Sequence, residues 1–197
     1  MQAATWDDRF RAGPQLCTLT ANQLVVQVLG DHHAGRALDV AAGEGRNAVW
    51  LAERGWHVTA VDFSQVAVDH GRDLAVQRGV TVEWVLADVT AWRPPARAFD
   101  AVVVSYLQLA AEPLAGVLAR AAGALAPGGT LVAVGHHVDN LEHGHGGPPH
   151  RELLWEPAQV AEALSGLEVS RAERVERCVD VDDAVVALDA LVVAGRG

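Results

Sequence analysis

Ala37-Leu38-Asp39-Val40-Ala41-Ala42-Gly43-Glu44-Gly45-Arg46-Asn47 is the stretch that decides the fold. Its apolar start predicts a buried strand, its glycines a tight turn, and the residues from Arg46 a helix. A second strand, His57-Val58-Thr59-Ala60-Val61, follows and ends in Asp62. Strand, glycine turn, helix, strand and terminal carboxylate is the layout of a nucleotide-binding βαβ half. Glycine lets the backbone approach a ligand where a Cβ would clash. Asp62, 23 positions beyond Asp39, is placed to accept hydrogen bonds from both hydroxyls of a ribose.

A dinucleotide site wants G-x-G-x-x-G with helix N-terminal amides facing a pyrophosphate. Here the turn reads Gly43-Glu44-Gly45-Arg46-Asn47-Ala48, and Ala48 can stand for the third glycine, so an NAD-dependent oxidoreductase survives on spacing. Glu44 and Asp39 argue the other way, because carboxylates in the turn and strand oppose phosphate and favour a cation. S-adenosylmethionine, with its sulfonium, ammonium and ribose and no phosphate, suits those charges.

Asp39-Val40-Ala41-Ala42-Gly43-Glu44-Gly45 resembles the first motif of the class I S-adenosylmethionine-dependent methyltransferases, D/E-x-x-x-G-x-G. Asp62-Phe63-Ser64 resembles the second and Ala87-Asp88-Val89 the third. Phe99-Asp100-Ala101-Val102-Val103-Val104 resembles the fourth strand, and Leu125-Ala126-Pro127-Gly128-Gly129-Thr130-Leu131 the L-x-P-G-G-x-L turn before the fifth. The five motifs stand in family order over about residues 36–135. Gly45-Arg46-Asn47 with Leu51-Ala52-Glu53-Arg54-Gly55 further resembles the small bacterial branch near tellurite-resistance and thiopurine methyltransferases.

The resemblance implies an α/β fold: a doubly wound, Rossmann-like sheet of seven strands, mostly parallel with an antiparallel last strand and helices on both faces. One methyltransferase domain, 1–197, then divides into a helical cap (1–35), a cofactor-binding core (36–135), a substrate-side loop (136–156) and a closing helix with an antiparallel hairpin (157–197). In the cap, an N-cap signal at Thr5 predicts one helix that Pro14 breaks, and apolar residues from Leu16 to Leu29 predict another. Ser64 is the expected cap of a helix that Gly79 stops. Pro157 opens the last helix. Leu167–Val169 and Leu188–Val193 are the expected closing strands.

The composition narrows the function classes. A chain of 197 residues, half of them hydrophobic, suits one full-sized core. No apolar run reaches the roughly 20 residues a membrane span needs. The polar start predicts no signal peptide, and Cys17 and Cys178 are too few for a disulfide framework, so a cytoplasmic location is expected. The formal charge is −10 and the 15 basic residues are all scattered Arg, which is poor equipment for nucleic acid or an anionic membrane. The absence of Lys and Ile points to a GC-rich bacterial genome, and it excludes a lysine base.

Methyl transfer from a sulfonium is an in-line displacement, so the protein mainly aligns donor and acceptor. The resemblance implies a cofactor set of Asp39, Ala41, Gly43, Gly45 and Asn47 from the first turn, Asp62, Phe63 and Ser64 from the second, Asp88 and Val89 from the third, and Ser105 after the fourth strand. Asp39 suits the methionine amino group, Asp62 the ribose and Asp88 the adenine amino group; Phe63 and Val89 offer apolar faces to the ring. Each has a plainer reading: Gly43 and Gly45 as a packing turn, Asp88 as a helix cap, Phe63 and Val89 as core. Tyr106, His136 and His137 are the catalytic candidates, with His136 and His137 on opposite sides because strand side chains alternate. Tyr106 reads equally as a buried aromatic with a satisfied hydroxyl.

The segment 136–156 carries His136, His137, His143, His145 and His150, five of the nine histidines, among glycines and prolines. Its part from about His136 to Arg151 reads as a mobile acceptor-side lid. Histidines two apart in coil have no fixed face, so no metal site is expected. The expected partner is a small-molecule methyl acceptor, with a monomer or homodimer as the assembly. N/D-P-P-Y/F, the amide-methylating motif, is replaced after the fourth strand by Ser105-Tyr106-Leu107-Gln108, which disfavours adenine, cytosine and glutamine. A binding module without catalysis stays open as an alternative.

Overall fold

The computed structural model describes residues 3–12, 20–179 and 185–197. The order of elements is α1 (Ala3–Ala12), α2 (Gln23–Leu29), β1 (Arg36–Val40), α3 (Arg46–Glu53), β2 (His57–Asp62), α4 (Gln65–Arg78), β3 (Glu83–Leu86), β4 (Phe99–Ser105), α5 (Ala111–Ala124), β5 (Leu125–His136), α6 (Asn140–His143), a 3-10 turn at Arg151–Leu153, α7 (Pro157–Ala163), β6 (Glu168–Cys178) and β7 (Val186–Gly195).

The seven strands form one sheet in the order β3-β2-β1-β4-β5-β7-β6. β1 to β5 pair in parallel, while β7 runs antiparallel to both β5 and β6. The strand order reverses between β1 and β4, and open α/β sheets bind ligands outside the strand ends at such a switch point.

Alternation along the strands builds a core on each face. Leu38, Val102, Val104, Leu131 and Val192 pack with Leu118 of α5 and Val160 of α7. Ala37, Val103, Val132 and Val134 pack with Leu24 and Val25 of α2, Leu51 of α3 and Leu74 of α4. Ser64 caps α4 by accepting from the Ala67 amide at 3.1 Å, and Gly79 ends it in the left-handed region.

The cap and the segment after β5 depart from expectation. α2 begins at Gln23 behind an Asn22 cap, whose side chain accepts from the Leu24 and Val25 amides. Pro14, Leu16, Cys17 and Leu19 lie outside the described residues. Residues 136–156 are not a plain loop: β5 continues through His136, and α6 and the 3-10 turn follow. Buried Asn140 pins this segment to the sheet, accepting from the Leu188 amide at 2.7 Å and donating to the Gly146 carbonyl at 2.8 Å. Trp155, wholly buried, anchors its far end. Both ends of the segment are thus tied to the body of the protein. β6 and β7 are also longer than the hairpin strands read from sequence.

Candidate active site

The first turn leaves β1 with three residues in the left-handed region: Ala41 (φ 55°), Gly43 (φ 56°) and Gly45 (φ 76°). Gly45 is required twice over. A Cβ there would lie 2.2 Å from the Trp84 ring, and the same ring fills the space where Gly71 of α4 lacks a side chain. Trp84 is thus a wedge between the starts of α3 and the body of α4. At Gly43 a Cβ would meet only the Phe10 ring of α1, at 3.8 Å, so the left-handed φ is the constraint there.

Asp39 is fully buried and neither carboxylate oxygen has a hydrogen-bond partner among the described residues. Burial pushes its pKa up to about 7, against the lowering pull of the Arg46 charge and the Ala48 amide. An orphaned carboxylate at the end of a central strand, beside a left-handed turn, is a site for a cationic hydrogen-bond donor.

Asp62 ends β2 and faces the same turn. Its Oδ2 accepts from the Gly43 amide at 2.8 Å and its Oδ1 from the Ser64 amide at 2.9 Å. A carboxylate has about four lone-pair sites, so acceptor capacity remains for a ligand. Burial raises its pKa despite the amides of Ser64, Gly43 and Phe63. The Ser64 hydroxyl donates to Asp7 of α1 at 2.5 Å, and this bond lays the cap helix against α4. Glu44 does not stand alone in the turn as a bare charge, because its Oε1 pairs with His70 Nδ1 at 2.9 Å. The electrostatic case against a phosphate therefore rests on Asp39.

The remaining cofactor candidates have clear structural roles. Asn47 is buried; it accepts from the Asn22 amide at 2.9 Å and donates to the Ser105 hydroxyl at 3.0 Å. Exposed Asp88 accepts on Oδ1 from the Thr90 amide and hydroxyl. Val89 is buried and its carbonyl accepts from Arg120; Phe63 is half-buried.

A second polar cluster lies across the ends of β4, β5 and β7. Tyr106, at φ 52°, donates from its hydroxyl to Asp189 Oδ2 at 2.7 Å and accepts from Asn22 Nδ2 at 2.9 Å. Burial first, and the Asp189 charge next, push its ionisation well above the ordinary tyrosine range. With both hydrogen-bonding roles used, Tyr106 is a strut rather than a proton carrier. The His136 ring packs on the Tyr106 ring, centroids 4.8 Å apart, and its Nδ1 lies 3.3 Å from Asp189 Oδ1. That approach is within ion-pair range but off hydrogen-bond alignment. Arg177 Nε donates to Asp189 Oδ2 at 2.6 Å. Burial opposes ionisation of Asp189, but His136, Arg177 and Tyr106 outweigh it and hold the carboxyl below the usual range. Arg46 stands 5.5 Å from the Tyr106 ring on the side of the glycine turn, so the two clusters adjoin. His137 turns elsewhere, as alternation predicts: its Nδ1 accepts from the Asp139 amide at 3.1 Å and its Nε2 lies 3.7 Å from Glu156.

Sequence reasoning missed Asp189, Arg177, Asn22 and Arg46. Asp189 had a signal: it is the lone acid in the apolar run Ala187-Leu188-Asp189-Ala190-Leu191. Among the described residues no group of three or more His, Cys, Asp or Glu is arranged to hold a metal.

Residues 37–129 match the family model described as a methyltransferase domain. The match takes in slightly less than half of the chain, from β1 to the start of β5. A demethylmenaquinone methyltransferase of Clavibacter sepedonicus is 37% identical over 60% of this chain and 46% of its own length. A ribosomal RNA small subunit methyltransferase C of Chromohalobacter salexigens is 33% identical over 57% of this chain and 34% of its own. The chain thus spans less than half the length of these relatives. Among solved structures, a protein from the conversion of a disulfide bond into a thioacetal group during echinomycin biosynthesis superposes with a TM-score of 0.77 at 19% identity, covering 98% of this chain and 92% of that one. TehB from Haemophilus influenzae gives 0.73 at 16%, covering 90% and 63%. The [4+2]-cyclase SpnF gives 0.72 at 19%, covering 98% and 94%. These three share the fold of the methyltransferase domain.

Proposed function

We propose that this chain transfers the methyl group of S-adenosylmethionine to a small-molecule acceptor. The observation that carries the reading is Asp39, a buried carboxylate with no hydrogen-bond partner of its own, beside a left-handed turn and within the methyltransferase domain. The residues present fit the cofactor. Asp39 would take the ammonium of the methionine end, Asp62 the ribose hydroxyls with its remaining acceptor capacity, and Gly43 would admit the ligand to the backbone, while Gly45 makes room for Trp84 behind the turn. Ala41 lies in the same turn. Phe63 and Val89 would flank the adenine, with Asp88 near its amino group. Asn47, Ser64 and Ser105 act behind them, holding the turn, α4 and the end of β4.

When bound, the cofactor supplies an electrophilic methyl on a sulfonium. The protein's part is to hold the acceptor in line with it and exclude water. Acidic composition supports a small acceptor over nucleic acid, and the few cysteines suit a cytoplasmic enzyme. No helix among the described residues is long and apolar enough to cross a membrane.

Calorimetry with S-adenosylhomocysteine and with NAD tests the cofactor. Binding of the first, lost in Asp39→Asn, is the expected result; binding of NAD alone would refute the reading. A second reading, cofactor binding without methyl transfer, draws on the cyclase that shares this fold, since fold does not fix chemistry. Release of S-adenosylhomocysteine in the presence of an acceptor panel separates the two.

A further inference from the structure

We propose that His136 is the general base of this site, positioned by Asp189, and that the acceptor it serves is a phenolic or enolic hydroxyl. The proposal rests on the methyltransferase reading above and adds the acceptor chemistry to it.

The geometry begins with Asp189, a wholly buried carboxylate on β7. Three elements converge on it: Tyr106 after β4, His136 at the end of β5 and Arg177 on β6. Arg177 and Tyr106 both occupy Oδ2, which leaves Oδ1 to His136 alone. Oδ1 and His136 Nδ1 are otherwise without hydrogen-bond partners among the described residues. A carboxylate beside Nδ1 favours the tautomer with its proton there, so that Nε2 presents a lone pair. Catalytic hydrogen bonds are often long before substrate binds, and the 3.3 Å separation is of that kind. The ring is fixed on two further sides. Tyr106 packs against it, and Gly147 approaches so closely that a Cβ there would lie 2.9 Å from the imidazole. Tyr106 cannot serve instead, because its hydroxyl already donates to Asp189 and accepts from Asn22. His137 is directed to Asp139 and Glu156.

A base matters only when the acceptor atom must lose its proton to become nucleophilic. Thiolates and oxyanions arrive ionised, and amines attack through a lone pair they already possess. A hydroxyl does neither, so an oriented imidazole next to the donor cradle selects it. His136 Nε2 takes the hydroxyl proton as an oxygen electron pair forms the bond to the methyl carbon; the carbon–sulfur bond breaks and its pair remains on sulfur.

The test uses the intact chain with S-adenosylmethionine and two acceptor sets: 1-naphthol, catechol and 1,4-naphthohydroquinone, against thiophenol at a pH where it is ionised. His136→Gln is expected to lower kcat about 100-fold or more on the hydroxyl set. Thiophenolate turnover and S-adenosylhomocysteine affinity should change less than about 5-fold. Nitrogen-15 NMR of the unaltered protein should show His136 protonated on Nδ1, and Asp189→Asn should abolish that preference. Equal losses on both acceptor sets, an Nε2-protonated His136, or no hydroxyl turnover by protein that binds S-adenosylhomocysteine would each overturn the proposal. Failure to bind S-adenosylhomocysteine at all would overturn the reading beneath it. The tautomer measurement needs no variant, so it decides the matter even if the substituted proteins do not fold.

Discussion

Tyr106 and Asp189, 83 positions apart, share a 2.7 Å hydrogen bond that ties the end of β4 to β7. The same hydroxyl accepts from Asn22, so one oxygen joins the cap, the parallel sheet and the closing hairpin. Tyr106→Phe should lower stability by about 1–3 kcal/mol, since it strips a donor from a buried carboxylate. It should leave cofactor affinity nearly intact, because neither partner belongs to the glycine turn. Urea unfolding alongside calorimetry checks this; a neutral substitution would mean that the hydroxyl is not a strut.

Asp39 sets a pH dependence. Its folded pKa of about 7 lies above the ordinary carboxylate value of about 3.9, so the native state keeps a proton that the unfolded chain releases. The stability from this proton is fully present below pH ~4 and is lost as pH rises through about 7. In the absence of cofactor, Asp39→Asn should flatten the melting-temperature profile between those limits. Affinity for S-adenosylhomocysteine should rise as pH climbs through the same range, with proton release on binding. Titration in two buffers of different ionisation enthalpy measures that release, and none would contradict the pairing of Asp39 with the ammonium.

Asp62→Ala should weaken S-adenosylhomocysteine binding by about 1.5–3 kcal/mol, because it leaves the ribose hydroxyls unpaired. It also frees the Gly43 and Ser64 amides, so a fall in melting temperature should accompany the loss. Unchanged affinity would reduce Asp62 to a strand-end acid that only ties the turn.

The Trp84 wedge predicts a coupling. Gly71→Ala and Gly45→Ala each drive a methyl into the same ring, and both should cost several kcal/mol. In a Trp84→Ala background Gly71→Ala should become neutral or stabilising, since alanine is the better helix former by about 1 kcal/mol. Gly45→Ala should remain costly there, because its φ of 76° is strained for any side chain. A double-mutant cycle in urea decides it, and equal rescue of both positions would be the contrary result.

Deleting Gly144–Gly147 removes the backbone that covers His136 and the Gly146 carbonyl that Asn140 donates to. Turnover should fall at least about tenfold while cofactor affinity holds, because the cofactor residues lie on other strand ends. Loss of S-adenosylhomocysteine binding with the fold intact would assign this segment to the cofactor instead.

The half proposed for the cofactor was legible in sequence as structure because its signals are local. A turn that needs left-handed residues shows as Gly43 and Gly45, a helix start as Ser64, a helix stop as Gly79. The acceptor half was less so. β6, Glu-Val-Ser-Arg-Ala-Glu-Arg-Val-Glu-Arg-Cys, is an edge strand exposed along most of its length, so it carries no apolar alternation to announce it. Asp189 and Arg177 meet His136 and Tyr106 only through strand pairing across long separations. The anchoring of 136–156 depends on two buried side chains, Asn140 and Trp155, in a stretch whose composition otherwise spells loop.

The placement of β7 between β5 and β6 has a consequence for how the protein is made. β6 is synthesised first, yet among the described residues its only strand partner is β7, so it cannot join the sheet until the later strand has emerged. The chain can assemble β1 to β5, with the glycine turn and both cofactor carboxylates, while β5 still presents an open edge. β7 closes that edge, pairs with β6 and carries the Asp189 that faces His136. On the proposed reading, the carboxylates assigned to the cofactor lie on strands whose pairing needs no β7, whereas the contact that positions the base exists only once β7 is in place.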